Sequence, residues 1–239
     1  MKNLLKASSL LLLLLFSTNK LFAQNPPPGF NSIGNILQVN LPYNAVVKSE
    51  NYVETNQKEY LYEQWKQGEV FYNSSSSIKY DMLKYNIKKD VVEIYIKDRV
   101  EYLHPTQSSG FSLNDNSNYS NVFVSASINN EQGSPKFYME LLSNGKIKLL
   151  LHRTIKKNIL PGNSAINLPP KEVVEVSKNY YVVFENNSSV KLKPNKKQVL
   201  LALNEKKAEV EEFVKKNQLK YNNTQHLIKI FNFYNSSLQ

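Results

Sequence analysis

Residues 78–103 read IKYDMLKYNIKKDVVEIYIKDRVEYL, and this stretch decides the fold. In 78–87 the apolar and aromatic side chains are Ile78, Tyr80, Met82, Tyr85 and Ile87, at a spacing near that of a strand. Lys88, Lys89 and Asp90 end the run. Residues 91–96, VVEIYI, are β-branched and aromatic, types that suit a pleated, half-buried surface. Alternation puts Val92, Ile94 and Ile96 on one face, and Val91, Glu93 and Tyr95 on the other. Lys97, Asp98 and Arg99 make a second polar break. A third run starts at Val100 and stops at Pro105, which has no N–H for a ladder. Such short breaks allow only antiparallel neighbours, because a parallel pair needs a crossover of about a dozen residues or more. A helix over 81–89 is the competing reading, and the β-branched run after Asn86 opposes it.

The same pattern continues outward. Gly68 is expected to turn the chain into a short strand over 69–72. Downstream, strands are expected over 110–113 and 121–128, the latter with Val122, Val124, Ala126 and Ile128 on one face. Residues 136–142 and 146–155 form a hairpin through Ser143-Asn144-Gly145. A proline-bearing loop is expected over 158–170. Three short strands then follow at 173–176, 180–184 and 190–192. Lys178-Asn179 and Asn186-Asn187 supply their turns, since Asn tolerates positive φ.

The character changes after Pro194. Asn195 is expected to cap a helix over 196–203, Asn204 a second over 205–217, and Thr224 to precede a third. Val210, Phe213 and Val214 fall on one stripe; Leu227, Ile230, Phe231 and Tyr234 on another. Strands followed by helices, without alternation, give the α+β class. The expected fold is an antiparallel β-sheet over 53–193, curved as a roll or half-barrel or packed as a sandwich, followed by a small C-terminal three-helix annex over 194–239. The predicted core includes Val92, Ile94, Ile96, Val122, Val124, Leu149, Val182, Phe184, Phe213, Leu227 and Phe231.

Residues 1–23 read as a secretory signal peptide. Lys2 and Lys6 give the basic start, 10–16 the apolar run, and Ala23 the small residue before the cut. The apolar run is far shorter than the roughly 20 residues that span a bilayer, and no later segment is long enough to do so. Export to the periplasm, the outer membrane surface or the exterior is therefore expected. With no cysteine in the chain, the protein is not expected to be a lipoprotein, and its stability in an oxidising compartment must come from packing. Cleavage removes three lysines, so the formal charge falls from +10 to +7. Residues 24–52 are a linker, QNPPPG, and a poorly patterned segment with an edge-strand candidate at 40–47.

Motifs for chemistry are absent. His104, His152 and His226 lie in different elements, there is no His-Glu-x-x-His, and no metal site is expected. The Asn-rich stretch 114–118 carries one carboxylate and reads as a polar loop. No Gly-x-Ser-x-Gly elbow or Gly-rich phosphate loop occurs, so no catalytic residue and no cofactor are assigned. Glu93 and Glu101 form the one carboxylate pair that a hairpin would bring near each other, with Lys97 or Arg99 as the competing partners.

Two features suit binding. Tyr60, Tyr62, Trp65, Tyr180 and Tyr181 join apolar bodies to polar tips, which fits a sugar-stacking platform; the residue types fit the margin of a sheet core still better. Residues 141–171 hold six basic residues and no acidic one. Lys146, Lys148, Arg153, Lys156 and Lys157 are thus candidates for an anionic partner, with a solvated lysine-rich surface as the competing reading. Nucleic acid is disfavoured, because the compartment is wrong, Arg99 and Arg153 are the only arginines and bidentate readout favours arginine. The expected function is an exported, non-catalytic binding protein of the cell envelope with a protein, lipid or glycan partner. A carrier of lipid or another apolar ligand, and a hydrolase with an unrecognised carboxylate site, are the alternatives. A deep apolar cavity would mark the carrier.

Several local features taken together resemble a group of uncharacterised secreted proteins of Bacteroidota. They are Tyr60 to Trp65 with Gly68, Tyr85-Asn86, the 146–151 strand, Tyr180-Tyr181, Phe213 to Asn217, and Tyr234-Asn235. The resemblance covers most of 52–238. It implies export and an antiparallel fold, and it carries no activity to transfer.

Overall fold

The computed structural model describes residues 59–72, 76–114, 120–127, 135–162, 166 and 169–238. The signal-peptide segment, the 24–52 segment with its strand candidate at 40–47, and Ile128 lie outside these. Ten strands form one antiparallel sheet: β1 (Lys66–Phe71), β2 (Ser77–Asn86), β3 (Val91–Ile96), β4 (Arg99–Leu103), β5 (Gly110–Asn114), β6 (Ser120–Ser127), β7 (Lys136–Ser143), β8 (Lys148–Leu160), β9 (Lys171–Val183) and β10 (Ser189–Leu192). Their spatial order is β10-β9-β8-β7-β6-β5-β1-β2-β3-β4, so the sheet is open. Three helices follow: α1 (Lys196–Ala202), α2 (Lys207–Lys216) and α3 (Thr224–Ser236). The class is α+β.

The meander β2–β4 forms as its sequence directs. Lys97 and Asp98 both have positive φ, as a tight two-residue hairpin turn requires. Asp90, at φ 53°, closes the β2–β3 turn. Leu83, Tyr85, Val92, Ile94 and Leu103 point inward and are buried. They share a core with Phe111, Phe123 and Tyr138. The Phe111 and Phe123 rings stack at 4.5 Å, and Tyr138 meets Phe111 edge-on. Tyr85 of β2 reaches both phenylalanines, at 5.3 and 5.0 Å. Since β1 lies between β2 and β5, these ring contacts require the sheet to curl inward. The concavity is filled by rings.

The helices close the other end of that inner face. Each is too short to be stable alone in water. Leu142, Leu149, Leu151, Tyr180 and Val182 of the sheet pack with Val199, Val210, Leu227, Ile230, Phe231 and Tyr234 of the helices in one buried cluster. Asn235 of α3 clamps the β7–β8 connection: its Oδ1 accepts from Ile147 N (3.0 Å) and its Nδ2 donates to Ile147 O (2.9 Å). Between the two apolar regions runs a polar line. Asn121 Nδ2 donates to Glu140 Oε1 (2.5 Å), and Glu140 pairs with Arg153 at 2.5 Å, both fully or nearly buried.

Several boundaries differ from the sequence reading. Gly68 lies inside β1 and does not turn the chain; a Cβ there would meet Ser112 O at 2.1 Å, so the residue serves close strand approach. Lys178-Asn179 is no turn: β9 runs unbroken, with Lys178 opposite Arg153 and Asn179 opposite His152. β8 likewise extends to Leu160, into the expected loop. Asn187 does take positive φ, at 61°. Asn195 caps α1, accepting from Gln198 N. Asn204 caps nothing and starts a single 3-10 turn, with α2 beginning at Lys207. The cap of α3 is Asn223, which accepts from His226 N. Of the predicted core, Ile96 and Phe213 are only half-buried; Phe213 stacks on Phe233 at 4.0 Å.

Candidate functional site

Pairing within the meander places one face of β2–β4 outward. Lys84 lies opposite Glu93, and Glu93 opposite Tyr102. Tyr95 lies opposite Val100 one step along, and Tyr60 bridges to Asn86 on the other side of β2. Tyr60, Trp65, Lys84, Tyr95 and Tyr102 thus surround Glu93 on a single surface. The Lys84 ammonium sits 4.1 Å from the Tyr60 ring and 5.8 Å from the Trp65 ring. Trp65 meets Tyr95 at 6.0 Å, tilted by 53°. Lys89 lies 5.4 Å from the Tyr102 ring. Such cation–ring contacts contribute about 0.5–1 kcal/mol each at exposed sites, enough to bias side-chain orientations. Tyr95 and Tyr102 remain 39% and 51% exposed, so both present surface to solvent.

Glu93 is buried at the floor of this surface beside Val91. Tyr60 Oη donates to its Oε1 (3.2 Å) and Asn86 Nδ2 donates to the same oxygen (3.3 Å). Burial raises the pKa of the Tyr60 phenol, and the nearby Glu93 carboxylate raises it further. Tyr60 therefore stays a neutral donor. Asn86 is itself buried, its Oδ1 accepting from Lys89 N (3.0 Å), so it holds Glu93 in place. A held carboxylate and an ammonium among aromatic faces can hydrogen-bond and stack a polar ring.

The other sequence candidates go elsewhere. Tyr62 leaves this surface, donating to Asn121 Oδ1 (2.6 Å). Tyr180 and Tyr181 are buried core side chains on opposite sides of the sheet. Tyr180 shares a hydrogen bond with Thr224 (2.7 Å). The five tyrosine and tryptophan candidates thus make no single platform: Tyr60 and Trp65 are joined instead by Tyr95 and Tyr102.

The basic candidates also separate. Lys146 pairs with Glu205 (3.4 Å) and lies near Glu185 (3.9 Å). Lys148 is half-buried, and burial lowers its pKa. Arg153 is held by Glu140 in the interior. Only Lys156 and Lys157 are exposed, on the distal part of β8.

The carboxylate pair does not form. Glu101 lies opposite Ile94, one residue out of phase with Glu93, so the two acids project from opposite faces. Glu101 binds Arg99 through both Nε (3.0 Å) and Nη2 (2.7 Å). Among the described residues no three metal-ligating side chains converge. His152 is buried against Phe137, and burial, with Lys191, lowers its pKa to about 4. His226 Nδ1 accepts from Lys220 N (2.8 Å). A half-open groove of about 770 Å³ runs along α1 and α2, lined by Lys196, Lys197, Lys207, Glu211, Leu200 and Leu201. Its lining mixes these four charged side chains with the two leucines, Gln198 and Asn204. Among the described residues no helix is long and apolar enough to cross a membrane.

Tyr95 and Tyr102 were legible in principle. A two-residue turn at Lys97-Asp98 fixes the register that sets Tyr102 beside Glu93. Comparison with known proteins adds no relative: no family model, curated protein or solved structure matches this chain.

Proposed function

We propose that this chain is an exported, non-catalytic binding protein of the bacterial cell envelope, and that its ligand is a glycan held on the outer face of β2–β4. The observation that carries this reading is the ring of Tyr60, Trp65, Tyr95 and Tyr102 around the held Glu93 carboxylate. Aromatic faces stack on the apolar faces of pyranose rings, while Glu93 offers an acceptor and Lys84 a donor to hydroxyls. The signal-peptide pattern and the resemblance to secreted Bacteroidota proteins support export.

The filled concave face, with Phe111, Phe123, Tyr138 and Tyr85 in mutual contact, favours surface binding over carriage of an apolar ligand. The out-of-phase placement of Glu93 and Glu101 favours binding over two-carboxylate hydrolysis. The test is an array of envelope-derived oligosaccharides probed with the mature chain and with Tyr95→Ala and Tyr102→Ala. Retention of one oligosaccharide class that both variants lose supports the reading. Equal retention by all three proteins refutes it.

A further inference from the structure

α2 folds back along α1 through the 3-10 turn Asn204–Lys206. The Lys196 ammonium, at the start of α1, pairs with Glu211 of α2. The groove of about 770 Å³ along these helices is within the size range of small-ligand sites. Lys196 and Glu211 stand at one end of it, Asn204 and Lys207 at the other. At helical rise the chain from 196 to 204 covers about 12 Å. Leu200, buried, and Leu201, half-buried, make the apolar middle. Three ammoniums and one carboxylate line the groove, so positive charge is in excess. Lys197 and Lys207 are exposed and make no ion pair among the described residues. The hydrogen bond and charge of Lys196 hold the Glu211 carboxyl below its usual range, and the Lys207 charge adds to this.

Beside the ion pair is an unmet donor. The Tyr221 hydroxyl is buried without a hydrogen-bond partner, in the field of both Lys196 and Glu211. Burial raises its pKa, so it stays a neutral donor. A buried donor that lacks an acceptor is costly, whereas an exposed ion pair contributes little. The lining therefore suits an elongated ligand with an anion at each end. Two phosphates about 12 Å apart would meet the terminal lysines, which bind phosphate as point charges. Hydroxyls between them would meet the Gln198 and Asn204 amides, and the apolar faces of sugar rings would lie on Leu200 and Leu201.

We propose that the α1–α2 groove binds a disaccharide carrying a phosphate at each end, with Lys196 and Lys207 on the phosphates and Glu211 passing from Lys196 to the Tyr221 hydroxyl. This groove is separate from the aromatic surface, so neither proposal depends on the other. The experiment is isothermal titration calorimetry of the mature chain with a glucosamine disaccharide phosphorylated at both ends, with the same disaccharide free of phosphate, and with inorganic phosphate. Saturable binding of the first is expected, weakening as salt is raised, with the other two weaker by about tenfold or more. Lys207→Glu should weaken binding by about tenfold or more. Glu211→Gln removes the competitor for Lys196 and a repelling charge, and should tighten binding by about threefold, which a folding defect does not imitate. Tyr221→Phe removes the unmet donor, so it should raise the melting temperature while weakening binding. Lys216→Glu, outside the groove, and Tyr102→Ala, on the aromatic surface, should leave binding unchanged. Far-UV circular dichroism checks that the variants fold. Absent binding of the bisphosphate, inorganic phosphate bound as tightly, Glu211→Gln that does not tighten binding, or a loss in Tyr102→Ala overturns the proposal.

Discussion

The Asp90 carboxylate, at the tip of the β2–β3 turn, accepts the backbone N–H of Tyr138 in β7, 3.3 Å from either oxygen. It does so where β8 has left β7 and that N–H has lost its strand partner. The Tyr85 hydroxyl also donates to Asp90 (2.7 Å). One turn thereby ties the curled part of the sheet to its middle.

Burial raises the Asp90 pKa to about 6 from 3.8, more than its hydrogen bonds from Tyr85 and Tyr138 lower it. A carboxyl that binds its proton more tightly when folded adds stability below the unfolded pKa, and loses that contribution as pH rises through the folded one. Asp90→Asn keeps an acceptor and suits the positive φ. It should stabilise the protein by about 1–2 kcal/mol at pH 7, after allowance for partial exposure. The gain should shrink toward pH 4. Urea unfolding of parent and variant across this range checks the sign; a gain that grows toward pH 4 contradicts it.

Asn235 and Gly145 should be coupled. A Cβ on Gly145 would lie 2.5 Å from the Asn235 side chain. Asn235→Ala removes the bonds to Ile147 and should cost about 1–3 kcal/mol. Gly145→Ala should cost a similar amount alone, and much less when added to Asn235→Ala. Denaturant midpoints of the two single variants and the double variant measure this; strict additivity would show that the contact does not matter.

The helical annex should melt with the sheet. Phe231 is fully buried in the shared cluster, so Phe231→Ala should cost about 3–5 kcal/mol and lower the single transition. Phe213, half-buried against Phe233, should cost clearly less. Exposed Lys216→Ala should leave the transition where it is. Calorimetry of the three variants orders them; a sheet transition indifferent to Phe231→Ala would mean an undocked annex.

Glu140 and Arg153 form a buried pair. Removing one charge leaves the other without compensation. Arg153→Ala should cost about 3–5 kcal/mol, while replacing both by methionine should recover most of the loss. Thermal unfolding of both proteins compares them; a double replacement as unstable as the single one contradicts this.

The meander was legible because strand alternation, polar breaks and left-handed turn residues all agree between Ile78 and Leu103. β9 was not, because Lys178-Asn179 has turn chemistry but sits where the β8–β9 pair leaves the core. There, polar side chains in a strand meet Arg153, His152 and solvent without breaking the ladder. Helix starts were legible by residue type and shifted by position: Asn223, not Thr224, supplies the capping oxygen, and Asn204 falls in a 3-10 turn. Phe213 fell on the helical stripe, but α2 lies at the margin of the cluster. The binding surface was half legible. Tyr60 and Trp65 are adjacent to it in sequence, whereas Tyr95 and Tyr102 join only through cross-strand register. The spread of the basic residues could not be read, since Arg153 and Lys156 share a strand yet one is buried and the other exposed.

Trp65 is the only tryptophan in the chain, and it lies 6.0 Å from Tyr95 in the surface assigned to the glycan. Its fluorescence is therefore a direct report on that surface. The mature chain is titrated with muropeptides and with deacylated lipopolysaccharide oligosaccharide while Trp65 emission is followed. A saturable change with one of these, weakened tenfold or more in Tyr102→Ala (about 1.4 kcal/mol or more), is the predicted result. Emission that stays flat with both, or titration curves that Tyr102→Ala leaves unmoved, would contradict the assignment of this face to a glycan.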